Sequence, residues 1–112
     1  MLLLDVDGVM TDGGIILIGQ ECEAKRFDVQ DGMGINLARF AGIKVGIVTS
    51  RISDAVIRRS TELGIDDVSQ GTVHKADALD PLLKKYGIRP SEVAYIGDDI
   101  QDIPLLNRVG VS

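Results

Sequence analysis

The chain has 112 residues and a mass of 12.0 kDa, of which 45% are hydrophobic and 26% charged, so it is an ordinary globular composition long enough for one domain with a small core. A net charge of −5 and a pI near 4.7 argue against nucleic acid as a partner. Cys22 is the sole cysteine, which excludes a disulfide within the chain, and the absence of a signal peptide or an apolar run of membrane length makes a reducing cytoplasm, with no membrane partner, the default expectation.

In chain order, Leu2-Leu3-Leu4 predicts a buried strand, and Asp5-Val6-Asp7-Gly8-Val9 sets two carboxylates one residue apart where that strand leaves the sheet. Like charges so close repel, unless a hard cation such as magnesium sits between them. An EF-hand loop fits poorly, since Val9 and Met10 stand where such a loop wants an oxygen ligand and a glycine. Alone, the motif reads more readily as a turn after a strand. Thr11-Asp12-Gly13-Gly14 is turn chemistry. Ile15 to Ile18 and Cys22 to Val29, joined across Gly19-Gln20-Glu21, read as a hairpin whose first arm is apolar on both faces and therefore needs a cover.

Asp31-Gly32-Met33-Gly34 is expected to lead into a helix ending near Ala41, with Ile35 and Ala38 on its apolar stripe. Lys44 to Val48 is a β-branched strand ending at Thr49-Ser50-Arg51. Ser53 is the expected cap of a helix running to Leu63, and Val68-Ser69 a short strand. Between Ala76 and Tyr86 the leucines fall on one helical face, with Pro81 marking a kink or restart capped by Asp80. Val93 to Ile96 is another buried strand, followed by Gly97-Asp98-Asp99 and a helix from Gln101 to Arg108 with Pro104 in its first turn. Met1 stands just before the first carboxylate, and Val109-Gly110-Val111-Ser112 reads as a strand beginning, so a chain trimmed at both ends is expected.

Strands alternating with helices predict a single α/β domain over 1–112: a three-layer, Rossmann-like parallel sheet with helices on both faces, plus the protruding hairpin. Ligands in such folds bind beyond the carboxyl ends of the strands. The polar clusters Asp5/Asp7, Thr49/Ser50 and Asp98/Asp99 each follow an apolar strand, so all three converge on one mouth.

The ordered set DVDGVMT, VTSR, a lysine in QGTVHK, and GDDIQD resembles the four motifs of the haloacid dehalogenase-like phosphotransferases. DVDGVMTDG, KRFDVQDGMGI and VAYIGDDIQDIPLL further resemble the capless 3-deoxy-D-manno-octulosonate 8-phosphate phosphatases of lipopolysaccharide biosynthesis. Ser50 and Gln30 depart from that pattern, which usually has glycine and often arginine there. The resemblance implies a magnesium-dependent phosphomonoester hydrolase acting on a sugar-acid phosphate. Asp5 would be the nucleophile and Asp7 the acid and base. Asp5, the Asp7 carbonyl, Asp98 and, through water, Asp99 would hold the metal. Gly8, Thr49, Ser50 and Lys75 would bind the phosphoryl group, with Arg51, Lys25, Arg26, Asp31 and Gly32 as substrate contacts.

The spacings leave no room for a cap domain, and the resembling family covers its open mouth by assembling as a homotetramer. Plainer roles remain open at this stage: helix caps for Thr49, Ser50, Asp99 and Asp102, and a solvated surface for Lys75 and His74. Other readings are a phosphatase of a different sugar acid or of a macromolecular phosphoester, a phospho-accepting receiver domain, and a non-enzymatic oligomerisation module. Motif order argues against the receiver.

Overall fold

In the computed structural model, which describes residues 1–112, ten elements follow in the order β1 (Leu2–Leu4), β2 (Ile16–Ile18), β3 (Cys22–Ala24), α1 (Val29–Phe40), β4 (Val45–Val48), α2 (Asp54–Glu62), β5 (Asp67–Ser69), α3 (Leu79–Tyr86), β6 (Ala94–Ile96) and α4 (Ile103–Leu106). Short 3-10 turns at Lys75–Ala78 and Ile100–Asp102 lead into α3 and α4. The main sheet is wholly parallel in the order β5-β4-β1-β6, with Leu3 opposite both Gly46 and Tyr95. Val111 adds a parallel bridge to Ala94 on the outer side of β6. The chain runs from β1 outward to β5 and then returns to the far side of β1 as β6. The reversal leaves a crevice beyond the carboxyl ends of β4, β1 and β6.

Alternation along the strands divides the core in two. Leu4, Val45 and Ile47 face Ile35 of α1 and Val56 of α2, whereas Leu3, Val48 and Tyr95 face Leu79 of α3 and Leu105 of α4. These are the three layers expected, with helices on both faces. β2 and β3 form a separate antiparallel hairpin, Leu17 opposite Glu23, and Ile15 to Ile18 are all exposed.

Three local expectations need correction. Helix α1 starts at Val29, not after Gly34, because Asp28 caps it by accepting the Gln30 N–H at 2.7 Å, and the second hairpin arm is correspondingly short. Gly32 therefore lies inside the helix, where a Cβ would come within 2.5 Å of Arg59 Nη2 from α2. The restart predicted at Pro81 occurs at Leu79, but Asp80 does not cap it and instead pairs with Arg108 at 2.5 Å. Ser53 holds the cap position of α2 without a side-chain bond there; its buried hydroxyl has no partner.

Candidate active site

Asp5 continues the pairing of β1 by one residue, its N–H donating to Ile96 O at 3.0 Å, so its carboxylate emerges between β1 and β6. The chain then turns tightly, with the N–H groups of Val9, Met10 and Thr11 all directed to Val6 O. Thr11 Oγ1 ties the loop by accepting from Gly13 N at 3.1 Å and, more weakly, from Gly8 N at 3.4 Å. The turn carries Asp7 to the mouth of a cleft of about 250 Å3. Asp5, Asp7, Ser50, Arg51, Lys75, Asp98 and Asp99 line it, and no hydrophobic side chain does. Thr49, fully buried at the end of β4, stands behind Ser50.

Beneath the cleft lies a buried polar network. Lys75 is 2% exposed and its ammonium lies 2.7 Å from Asp5 Oδ2 and 2.6 Å from Asp102 Oδ1. Asp102, fully buried, also accepts the Tyr95 hydroxyl and the N–H groups of Asp98 (3.0 Å) and Asp99 (2.9 Å). It thereby fixes both the lysine and the loop after β6. Burial pushes the Asp5 carboxyl above its usual value, against the pull of Lys75. For Lys75, burial opposes the charge, but the bonds to Asp102 and Asp5 outweigh it and raise its pKa. Burial works in the same way against Asp102, where Lys75, Tyr95 and the loop amides prevail and hold the carboxyl low.

The carboxylates of Asp5, Asp98 and Asp102 converge, with ligand oxygens within 4.8 Å of one another. Asp102 is saturated by its four donors, which leaves Asp5 and Asp98 as the pair open to a cation. Gly8 makes their approach possible. It has φ 85°, and a Cβ there would lie 1.8 Å from Asp98 Oδ2. Asp99 Oδ1 is engaged with Ile100 N at 2.6 Å as a turn cap, so this residue serves the loop at least through that oxygen.

On the hairpin side, Lys25 Nζ lies 2.5 Å from Asp7 Oδ1 and 2.9 Å from Glu23 Oε1, and Glu23 in turn binds the Arg51 guanidinium. Those two bonds, Arg51 first, hold the Glu23 carboxyl down at about 2. Lys25 touches Asp7 but is not itself among the residues lining the cleft. Arg26, exposed and paired with Asp12 at 2.6 Å, and Asp31 line a separate, larger groove with Phe27 and Gln30. Gly32 is buried against α2 and meets neither. Of the residues singled out from the sequence, Asp5, Asp7, Ser50, Arg51, Lys75, Asp98 and Asp99 are brought together at one cleft. Sequence reasoning left the central anchor, Asp102, as a helix-terminus residue and did not single out Glu23. The signal for Asp102 was its four-residue spacing from Asp98 across a turn. His74 and Cys22 are exposed.

Residues 47–112 match the haloacid dehalogenase-like hydrolase family. The 3-deoxy-D-manno-octulosonate 8-phosphate phosphatase KdsC of Escherichia coli K12 is 44% identical over 112 residues, all of this chain and 60% of the relative. The chain thus spans 60% of the length of the curated relatives it matches. The phosphatase of that name from Moraxella catarrhalis, solved in complex with magnesium, phosphate and KDO, superposes with a TM-score of 0.93 at 44% identity, over 97% of this chain and 63% of its own. The cobalt-bound deoxy-D-mannose-octulosonate 8-phosphate phosphatase of Haemophilus influenzae gives 0.92 at 37% identity, over 97% and 64%. With more than half its residues matched by the family and a parallel sheet that carries the motif carboxylates to one cleft, the chain belongs to the haloacid dehalogenase-like hydrolases.

Proposed function

We propose that this chain is the catalytic domain of a magnesium-dependent phosphomonoesterase acting on 3-deoxy-D-manno-octulosonate 8-phosphate. The observation that carries the reading is the buried Asp5–Lys75 contact opening onto an all-polar cleft beside the uncommitted Asp98. The 44% identity to KdsC supplies the substrate. Asp5 attacks phosphorus and forms an acyl-phosphate bond as the P–O bond to the sugar breaks, while Asp7 gives its proton to the departing alkoxide. Water then attacks phosphorus and loses a proton to Asp7, and the bond to Asp5 breaks to release phosphate. Lys75, Ser50 and Thr49 offset charge on the phosphoryl oxygens. The Asp5 and Asp98 carboxylates and the Asp7 carbonyl would hold magnesium, which supplies positive charge where two carboxylates and a phosphate would otherwise repel.

The exposed Ile15–Ile18 arm supports assembly through the hairpin, proposed here as a homotetramer that closes the mouth against water. No helix is long and apolar enough to cross a membrane. The test is phosphate release from a panel of sugar-acid phosphates, phosphopeptide and phosphoglycan, with Asp5→Asn and chelator alongside. Preference for the eight-carbon sugar acid, lost in Asp5→Asn and with chelator, is expected. Release that survives Asp5→Asn overturns the mechanism, and release from the macromolecular substrates alone overturns the substrate.

A further inference from the structure

Lys25 stands one residue beyond β3, and its side chain is only 1% exposed. A lysine so enclosed needs its charge matched and its donors used. Asp7 Oδ1 at 2.5 Å and Glu23 Oε1 at 2.9 Å do both. Glu23 is itself braced, its second oxygen holding the guanidinium of Arg51, which lines the cleft. The four groups form one chain of alternating charge, Asp7, Lys25, Glu23, Arg51, that runs from the motif loop through the hairpin base to the end of β4. Lys25 bonds Asp7 but is not itself among the residues that line the cleft, and both of its contacts are carboxylates of this chain.

We propose that Lys25 is a positioning residue for Asp7, not a substrate contact, and that Glu23 holds Lys25 in place; this rests on Asp7 serving as the acid and base described above. A carboxylate on a tight turn has two oxygens and freedom about its side-chain bonds. Fixing Oδ1 on a buried ammonium leaves Oδ2, which carries no hydrogen bond, as the oxygen that exchanges the proton. Orientation of this kind matters because a displacement of about 1 Å in a reacting group lowers rates about 100-fold. The hairpin thereby contributes to chemistry from its base, whatever its tip contacts.

The test compares Lys25→Met and Glu23→Gln with the unaltered chain on two phosphate esters, with magnesium present. The sugar-acid phosphate has a poor alkoxide leaving group that needs Asp7's proton, whereas the 4-nitrophenolate of 4-nitrophenyl phosphate leaves unaided. Because kcat/KM reports steps up to phosphoenzyme formation, Lys25→Met is expected to lower it about 100-fold for the sugar ester and by no more than about threefold for the aryl ester. Glu23→Gln should show the same split at about tenfold, and it carries the test if Lys25→Met does not fold by circular dichroism. KM for the sugar ester stays within about threefold in both. Equal losses on the two esters, or a raised KM with kcat retained, overturn the positioning role. Absence of magnesium-dependent release by the unaltered chain instead overturns the phosphatase reading on which it rests.

Discussion

Replacing Asp102 by Asn keeps the shape of the side chain and removes its charge and half its accepting capacity. The amide oxygen can still receive the Asp98 and Asp99 N–H groups, but its NH2 then faces the Lys75 ammonium, donor against donor, and the Tyr95 hydroxyl, whose proton loses its acceptor. A lost charged bond is worth about 1.5–3 kcal/mol and a stranded hydroxyl about 1 kcal/mol. Lys75 keeps Asp5 at 2.7 Å, which holds the loss to the lower part of the about 3–5 kcal/mol seen when a buried pair is broken. We therefore expect about 3 kcal/mol from a total of roughly 5–15 kcal/mol. Guanidinium titration followed by far-ultraviolet circular dichroism measures it, with a fall in melting temperature of roughly 12 °C as a second readout. A change below about 1 kcal/mol would refute the reasoning, because it would mean that the network beneath the cleft is not what holds Lys75 buried.

Three further outcomes follow from the same geometry. Gly8→Ala puts a methyl into Asp98 and strains a positive φ, so it should abolish magnesium-dependent phosphate release while leaving the far-ultraviolet spectrum native; retained activity would show that Asp98 can move aside. Ser53→Ala removes a buried hydroxyl without a partner and should leave stability unchanged or raise it by up to about 1 kcal/mol, measured by denaturant titration, although a cap position ordinarily loses about that much. The Glu23 carboxyl, held at about 2 against an ordinary 4.5, stabilises the fold fully above pH 4.5. That contribution is lost as pH falls through about 2, so Glu23→Gln should flatten the acid limb of a stability–pH curve and lower stability near neutrality. An unchanged acid limb would mean that Glu23 is not paired in solution.

The sheet was legible because each buried strand is a short apolar run ending abruptly in carboxylates or hydroxyls, and a three-layer fold puts all such ends on one side. That is why Asp5, Thr49 and Asp98 could be expected at one mouth from the sequence alone. Helix α1 misled because Gly32 and Gly34 read as loop residues; packing overrode propensity, with the Arg59 guanidinium of α2 lying against the helix at position 32. Lys25 and Arg26 were read alike as substrate contacts. In extended chain neighbouring side chains point to opposite sides, so one is enclosed against Asp7 and the other stands in solvent with Asp12. Asp102 was hidden for a different reason: its partners, Lys75 and Tyr95, are 27 and 7 residues away and meet it only when α3 and β6 share a core.

The two carboxylates of the motif are fastened to parts of unequal stiffness. Asp5 is locked between parallel strands and a buried lysine, whereas Asp7 is moored to a two-stranded arm whose apolar residues stand in solvent. Such an arm opens at a lower free energy than the sheet. Under the mechanism proposed above, warming would slacken the proton carrier while the nucleophile still worked, so esters with good leaving groups would load phosphate onto Asp5 faster than water removed it. The chain would accumulate phosphorylated before it unfolded.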